Sequence, residues 1–272
     1  MALPVSCRHY PRVVLRDPRG TLLSFSHYCP TAAALLFQNE PVRTVAAGSS
    51  VSIREPVEGL DARDALPPLI HPGMLADIAG YDAWERSVID TLTRSPQVSR
   101  ALDVIGAATE DVRRWTPAHG ALANTIAAAF TAASERTIDR AWSSAELDIV
   151  RTLNRGEVAL ETPPDLERAW QALAPPERVD LHRPIGHYVA ARAFANWIAY
   201  QGHGLRTVVA WLRACHDVLR SVTLSRAAST RRPLAREDLL ESIRLADMVM
   251  LHTIDSHAFS RAAAVFEKRP AA

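Results

Sequence analysis

The chain has 272 residues, with 31 Lys and Arg against 30 Asp and Glu and a formal net charge of +1. That balance leaves no basic surplus for nucleic acid and no acidic surplus of a solvating tail. Hydrophobic residues make up 48%, yet no apolar run reaches the roughly 18 residues of a membrane span, so a globular chain with no membrane partner is expected.

The N-terminal stretch lacks the charged start and apolar core of a signal peptide, which points to the cytoplasm. There the three cysteines, Cys7, Cys29 and Cys215, should be reduced, and three are too few for a disulfide scaffold.

Residues 10–27 read as a β-hairpin. Asp17-Pro18-Arg19-Gly20 is the turn: Asp suits its first position, Pro pre-sets φ at the second, and Gly accepts φ > 0 at the fourth. Val13, Leu15, Leu23 and Phe25 share odd numbers, so period-two alternation makes them the expected buried face. A short helix is expected from Pro30 through Leu36. Residues 39–72, with five prolines, read as irregular apart from one short strand near Ser50–Arg54.

Beyond residue 73 the pattern is helical. Ser95-Pro96 reads as an N-cap with Pro at the first helical position, and Ser143–Glu146 has capping-box spacing. Tyr188–Tyr200 reads as one helical run. Val208, Trp211, Leu212, Cys215, Leu219 and Val222 form an apolar stripe at helical spacing, one helix later. Gly202 and Gly204 separate the two. Arg226–Arg236 reads as a loop, and Leu239, Ile243, Ala246 and Met250 open a last long helix. The expected fold is mainly α: a multi-helix domain over 73–272, preceded by a small β-hairpin unit and linker over 1–72.

Cys7, His9, His27 and Cys29 are all odd-numbered and lie at the open end of the hairpin. In a register where paired numbers sum to 36, Cys7 faces Cys29 and His9 faces His27, with opposed Cα atoms about 4.5–5.5 Å apart. Two thiolates and two imidazoles suit tetrahedral zinc. The plainer reading makes the cysteines small buried hydrophobes with the histidines at the rim. A disulfide fits the same geometry in an oxidising compartment.

The stretches Cys7-Arg8-His9-Tyr10-Pro11-Arg12 and Ser26-His27-Tyr28-Cys29-Pro30 resemble the flagellin lysine-N-methylase family, a branch of the cysteine-cluster proteins described as zinc- or iron-chelating. The match covers about 30 residues, and a weaker one runs over about 184–262. The resemblance implies an iron–sulfur cluster or related metal, S-adenosylmethionine as methyl donor and a flagellin-like protein substrate. Carried over residue by residue, it marks Cys7 and Cys29 as ligands. The family's other cysteines precede the first element, and clusters usually need four thiolates. Three readings follow: a native start further upstream, which is preferred; a degenerate relative without the cluster; or a smaller zinc site completed by His9 and His27. A non-catalytic helical zinc-binding or interaction module is the alternative function. Two copies of the chain pairing would pool four thiolates.

Other constellations carry less. Adjacent residues on a helix do not face one another, so Cys215-His216-Asp217 is not expected to form a nucleophile–base relay, and Cys215 reads as core. His182 and His187, five apart, have the wrong spacing for a paired ligand set. Tyr188, Phe194, Trp197, Tyr200 and Trp211 read as core aromatics. His252, Asp255, Ser256 and His257 form the second candidate site, with His252 and Asp255 meeting at i,i+3. No Gly-rich strand-to-helix loop or βα alternation announces a Rossmann-type methyltransferase.

Overall fold

The computed structural model describes residues 10–46, 59–138, 142–160, 165–175, 177–230 and 232–268. Strands β1 (Arg12–Asp17) and β2 (Gly20–Phe25) form the hairpin, and α1 spans Pro30–Leu35. Short strands β3 (Gly59–Asp61), β4 (Leu69–His71) and β5 (Met74–Leu75) lead to the helices. These are α2 (Ile78–Arg94), α3 (Val98–Val112), α4 (Leu122–Glu135), α5 (Ala145–Asn154), α6 (Leu166–Leu173), α7 (Val179–Ala193), α8 (Leu205–Thr230), α9 (Arg236–Asp247) and α10 (Ser256–Ala263). The fold is thus mainly α with a small N-terminal β unit, as composition and periodicity imply.

Helix α8 is the axis of the molecule and packs against α3, α5, α6, α7 and α9. Its apolar stripe is buried throughout, Cys215 included. Ala33 and Leu36 from the α1 region and Ile70 of β4 join the same core as the helices. The N-terminal unit is therefore seated on the helical part through shared apolar burial.

The hairpin register differs from expectation. Asp17 pairs with Gly20 and Arg12 with Phe25, so paired numbers sum to 37. The four-residue turn itself sets this: it closes with its first residue opposite its fourth, and the faces of the two strands then have opposite parity. Val14 and Leu15, on opposite faces of β1, are both buried while Phe25 is exposed; Leu15 packs with Ala62 and Ala195, and β1 is the central strand, with β3 paired in parallel on its other edge. The strand expected near Ser50–Arg54 lies outside the described residues.

Several helix ends also move. Ser95 closes α2 rather than opening α3, because its hydroxyl accepts the Gln97 N–H at 3.2 Å and holds a turn there. Helix α5 begins at Ala145, one residue later than the Ser143–Glu146 capping box implies: Ser143 accepts the Ala145 N–H at 3.2 Å, and Ser144, at the N-cap, donates to the Asp148 carboxylate at 2.7 Å instead of capping the backbone. Helix α8 continues to Thr230, into the first part of the expected loop. The last long helix changes pitch after Asp247: Met248–Thr253 is a π-helix, with Ile254 N–H bonding to the Val249 carbonyl at 2.9 Å.

The run Tyr188–Tyr200 is broken as well. Helix α7 ends at Ala193, and Ala195 sits at φ +53°. Its N–H donates at 3.0 Å to the carboxylate of Glu85, which is buried on α2. A left-handed non-glycine residue costs on the order of 1–3 kcal/mol and persists where its surroundings over-determine it. Here a buried carboxylate that needs donors supplies the constraint.

Candidate functional site

The break after α7 and the π-helix after α9 face each other across the open end of the hairpin. Between them lies a cleft of about 550 Å³. Its walls are apolar and aromatic, including Tyr10, Phe194, Trp197, Trp211 and Met250, with Arg12 on its lining as well. Trp211 is held edge-on against Phe259, with ring centroids 4.9 Å apart. Ser26, Arg192, Asn196, His252 and Asp255 supply the polar lining. A concave, mainly apolar site with a few convergent polar groups is the ordinary form of a small-ligand pocket.

The polar floor is built around Asp247. This side chain is fully buried at the last turn of α9. Its Oδ2 accepts the Ser26 hydroxyl at 3.0 Å and the Tyr28 N–H at 3.1 Å. Its Oδ1 faces the Arg192 guanidinium at 3.5 Å and lies 3.9 Å from His27 Nδ1. Arg192 also donates to the Phe25 carbonyl at 2.6 Å, tying the end of β2 to α7. Arg244 on α9 donates to the Tyr28 carbonyl at 3.0 Å. The segment from Phe25 to Tyr28 is thus clamped by two helices that meet only in the folded chain.

His252 completes the group: its Nε2 lies 2.8 Å from Ser26 Oγ while the side chain remains exposed. Residues five apart on an α-helix point roughly 140° away from each other, since each residue advances about 100°. The i→i+5 turn of the π-helix brings them nearly over one another. That local change of pitch lets Asp247 and His252 reach the same hydroxyl.

Of the expected metal ligands, Cys7 and His9 lie outside the described residues. His27 and Cys29 are placed differently from one another. His27 is buried edge-on against Tyr188, with centroids 5.9 Å apart, and Arg192 Nη2 sits 3.3 Å from its Nδ1. An arginine can only donate, so Nδ1 is the accepting nitrogen. Burial, with Arg192 adding to it and Asp247 opposing it, pushes the His27 pKa down to about 3. Cys29 is half-buried at the N-cap of α1. It neighbours Tyr10, whose phenol is raised by burial and by the Cys29 and Tyr28 beside it. The described pairing ends at Arg12 and Phe25 and is shifted by one from the expected register, and the expected facing pairs with Cys7 and His9 lie outside the described residues. Among the described residues no group of three or more His, Cys, Asp and Glu side chains is placed to hold a metal ion.

The second candidate site is brought to the cleft in part. His252, Asp255 and Ser256 line it. The expected i,i+3 pair does not share a helix face: Asp255 caps α10, accepting the Ala258 N–H at 2.6 Å, and His257 bonds to Gln201 at 2.7 Å. Phe194 and Trp197, expected as core, line the cleft, while Trp211 is core as expected and also reaches the cleft lining. Cys215 is core, its thiol pushed up by burial. His216 turns elsewhere, with Nδ1 3.5 Å from Asp217 Oδ1, so the sequential pair does meet, in a separate polar hollow of about 370 Å³. His182 and His187 each bond a different backbone carbonyl, Ala174 at 3.0 Å and Leu36 at 2.9 Å.

Sequence reasoning missed Asp247, Arg192 and Ser26. A signal existed for two of them: Asp247 is four residues from Ile243 and Arg192 four from Tyr188, so each carries charge on a face that is otherwise apolar. No described helix is long and apolar enough to cross a membrane. No family model matches this sequence, and no curated protein or solved structure matches it.

Proposed function

We propose that the cleft is the working site of a ligand-binding protein of the lysine-N-methylase kind, acting in the cytoplasm on a protein side chain and taking S-adenosylmethionine as donor. The observation that carries the site is the buried Ser26–Asp247–Arg192 group opening onto aromatic walls. Buried charge of this kind costs stability unless fully paired, and here Ser26 and Arg192 line the cleft with Asp247 buried behind them. The methyl-transfer part rests on the resemblance of the two N-terminal elements, both of which border the cleft: Tyr10, Pro11 and Arg12 at one side, Ser26 at the other.

In this reading Cys7 and Cys29 are the thiolate ligands of an iron–sulfur or zinc centre. The fit of the described residues is poor. Cys215 is buried with its thiol raised, and the accepting nitrogen of His27 is taken by Arg192. The described residues alone therefore fall short of four ligands, and no step of a reaction is drawn through a metal.

The test is anaerobic purification of the full chain with metal analysis and absorption spectra, alongside Cys7→Ser and Cys29→Ser variants. Intact-mass measurement of methyl transfer to flagellin completes it. An iron–sulfur band lost in both variants, with methyl transfer weakened in Trp197→Ala, supports the reading. Stoichiometric zinc without methyl transfer favours a non-catalytic zinc-binding module. No metal and no methyl transfer would sink the lysine-N-methylase reading.

A further inference from the structure

We propose that His252 is the proton-accepting residue of the cleft, with its Nε2–H held by Ser26 and its Nδ1 lone pair presented to the ligand. The inference rests on the cleft being the working site, but not on which reaction it serves.

The hydrogen-bond directions fix the arrangement. The Asp247 carboxylate can only accept, and the Arg192 guanidinium 3.5 Å away matches its negative charge. Ser26 Oγ, 3.0 Å from Oδ2, must therefore spend its single proton on Asp247. Were that proton given to His252 instead, two lone pairs would face each other at 3.0 Å in a buried site. Of the two lone pairs of Ser26 Oγ, one faces the Tyr28 N–H at 3.3 Å and the other accepts from His252, so Nε2, at 2.8 Å, carries the hydrogen. A neutral imidazole has one donor and one acceptor nitrogen, and so Nδ1 is the acceptor. Nδ1 has no hydrogen-bond partner among the described residues, and the ring lines an open cleft.

This order is the reverse of a nucleophile relay. The hydroxyl does not give its proton to the imidazole, so Ser26 is not activated; it is also buried. Ser26 is a positioning residue, and Asp247 sets its direction. When a ligand in the cleft gives up a proton, its N–H or O–H bond breaks and an N–H bond forms at Nδ1. No electrons change hands. The imidazolium so formed keeps its Nε2–H bond to Ser26, within reach of the Asp247 charge, and loses the new proton to water from its exposed side. Asp255 and Arg12 also line the cleft, and Arg244 stacks over the Tyr28 ring beside His252.

The test has two arms. The first reads the tautomer in the full chain with ¹⁵N-labelled histidine at alkaline pH, needing no activity. The wild-type protein should show His252 protonated at Nε2, with a slowly exchanging N–H signal that disappears in Ser26→Ala. Protonation at Nδ1, or a signal unchanged by Ser26→Ala, overturns the proposal whatever the protein does. The second arm applies once methyl transfer is detected. His252→Gln should lower kcat about 10²-fold with KM little changed, as for loss of a proton-transfer group. An unchanged kcat overturns the proposal. Absence of methyl transfer in the wild-type protein counts against the methylase reading alone, and the tautomer still decides this one.

Discussion

Ser26 and Asp247, 221 residues apart, are joined by a 3.0 Å hydrogen bond inside the protein. The bond holds the end of the hairpin against the end of α9, and Arg192 from α7 closes the same group. Removing one member of a buried pair strands the other, which typically costs about 3–5 kcal/mol. Asp247→Ala should therefore destabilise by about that much in urea unfolding. Adding Arg192→Met to it should recover part of the loss, because no uncompensated charge is then buried. Equal and additive losses would mean that Asp247 and Arg192 are energetically independent.

Arg19, at the tip of the hairpin turn, docks the sheet onto α2. Its guanidinium reaches Asp17 and Glu85, each at 2.8 Å, and Asp82 at 3.2 Å, and lies 5.2 Å from the centre of the Tyr81 ring. Burial works against the Asp17 charge, but hydrogen bonds from Arg19 and Tyr200 outweigh it and hold the carboxyl below its usual range. Arg19→Ala should cost about 3 kcal/mol, since two buried carboxylates lose their cation. Arg19→Lys should recover only part, having no planar fork to share between them. Chemical denaturation of the three proteins checks this.

His27 makes stability depend on pH. Its pKa is held down to about 3 in the folded state, chiefly by burial, against about 6.5 in an unfolded chain. The unfolded state thus binds the proton first, so this stabilisation is complete above about pH 6.5 and is lost as the pH falls towards 3. His187, His203 and His216 are lowered by burial too and act in the same direction. Stability should fall by on the order of a few kcal/mol between pH 7 and pH 4. His27→Gln should flatten the profile, at some cost near neutrality. A profile unchanged by that substitution would mean that His27 is protonated in the fold.

Gly80, in the first turn of α2, lets α4 approach. A Cβ there would overlap the side chain of Leu122, which opens α4. Gly80→Ala should destabilise by about 1–3 kcal/mol despite the better helix propensity of alanine. Combining it with Leu122→Ala should give less than the sum of the single losses. Thermal unfolding of the single and double variants measures the coupling.

The thiols should separate by accessibility. Cys215 is buried in the core with its pKa raised by burial, so an alkylating reagent should label it only on unfolding. Cys29, half-buried at the start of α1, should react in the native protein. Mass mapping after timed labelling distinguishes the two, and native labelling of Cys215 would contradict its place in the core.

Much of the fold was legible along the chain. The hairpin turn carries its own chemistry in Asp17-Pro18 and Gly20, and the α8 stripe declares a buried face at helical spacing. Pro30 marks the start of α1, and Gly202 and Gly204, both at positive φ, mark the gap before α8. The errors fall where a distant group competes with local preference. Ala195 leaves the helix because Glu85, 110 residues away, takes its N–H. The helix after Asp247 widens without a proline or glycine to announce it.

The candidate site followed the same division. Local pattern by itself determined the helical class, the apolar faces, the hairpin and the cysteine and histidine positions around it, because period and turn chemistry act between near neighbours. Tertiary structure alone decided the burial of His27 against Tyr188 while Cys29 stays half-buried, the opening of Trp197 onto a cleft, and the meeting of Ser26, Arg192, Asp247 and His252. Those side chains come from three separate segments, and a charge on an apolar face has no readable purpose until its partner arrives through the packing of the helices.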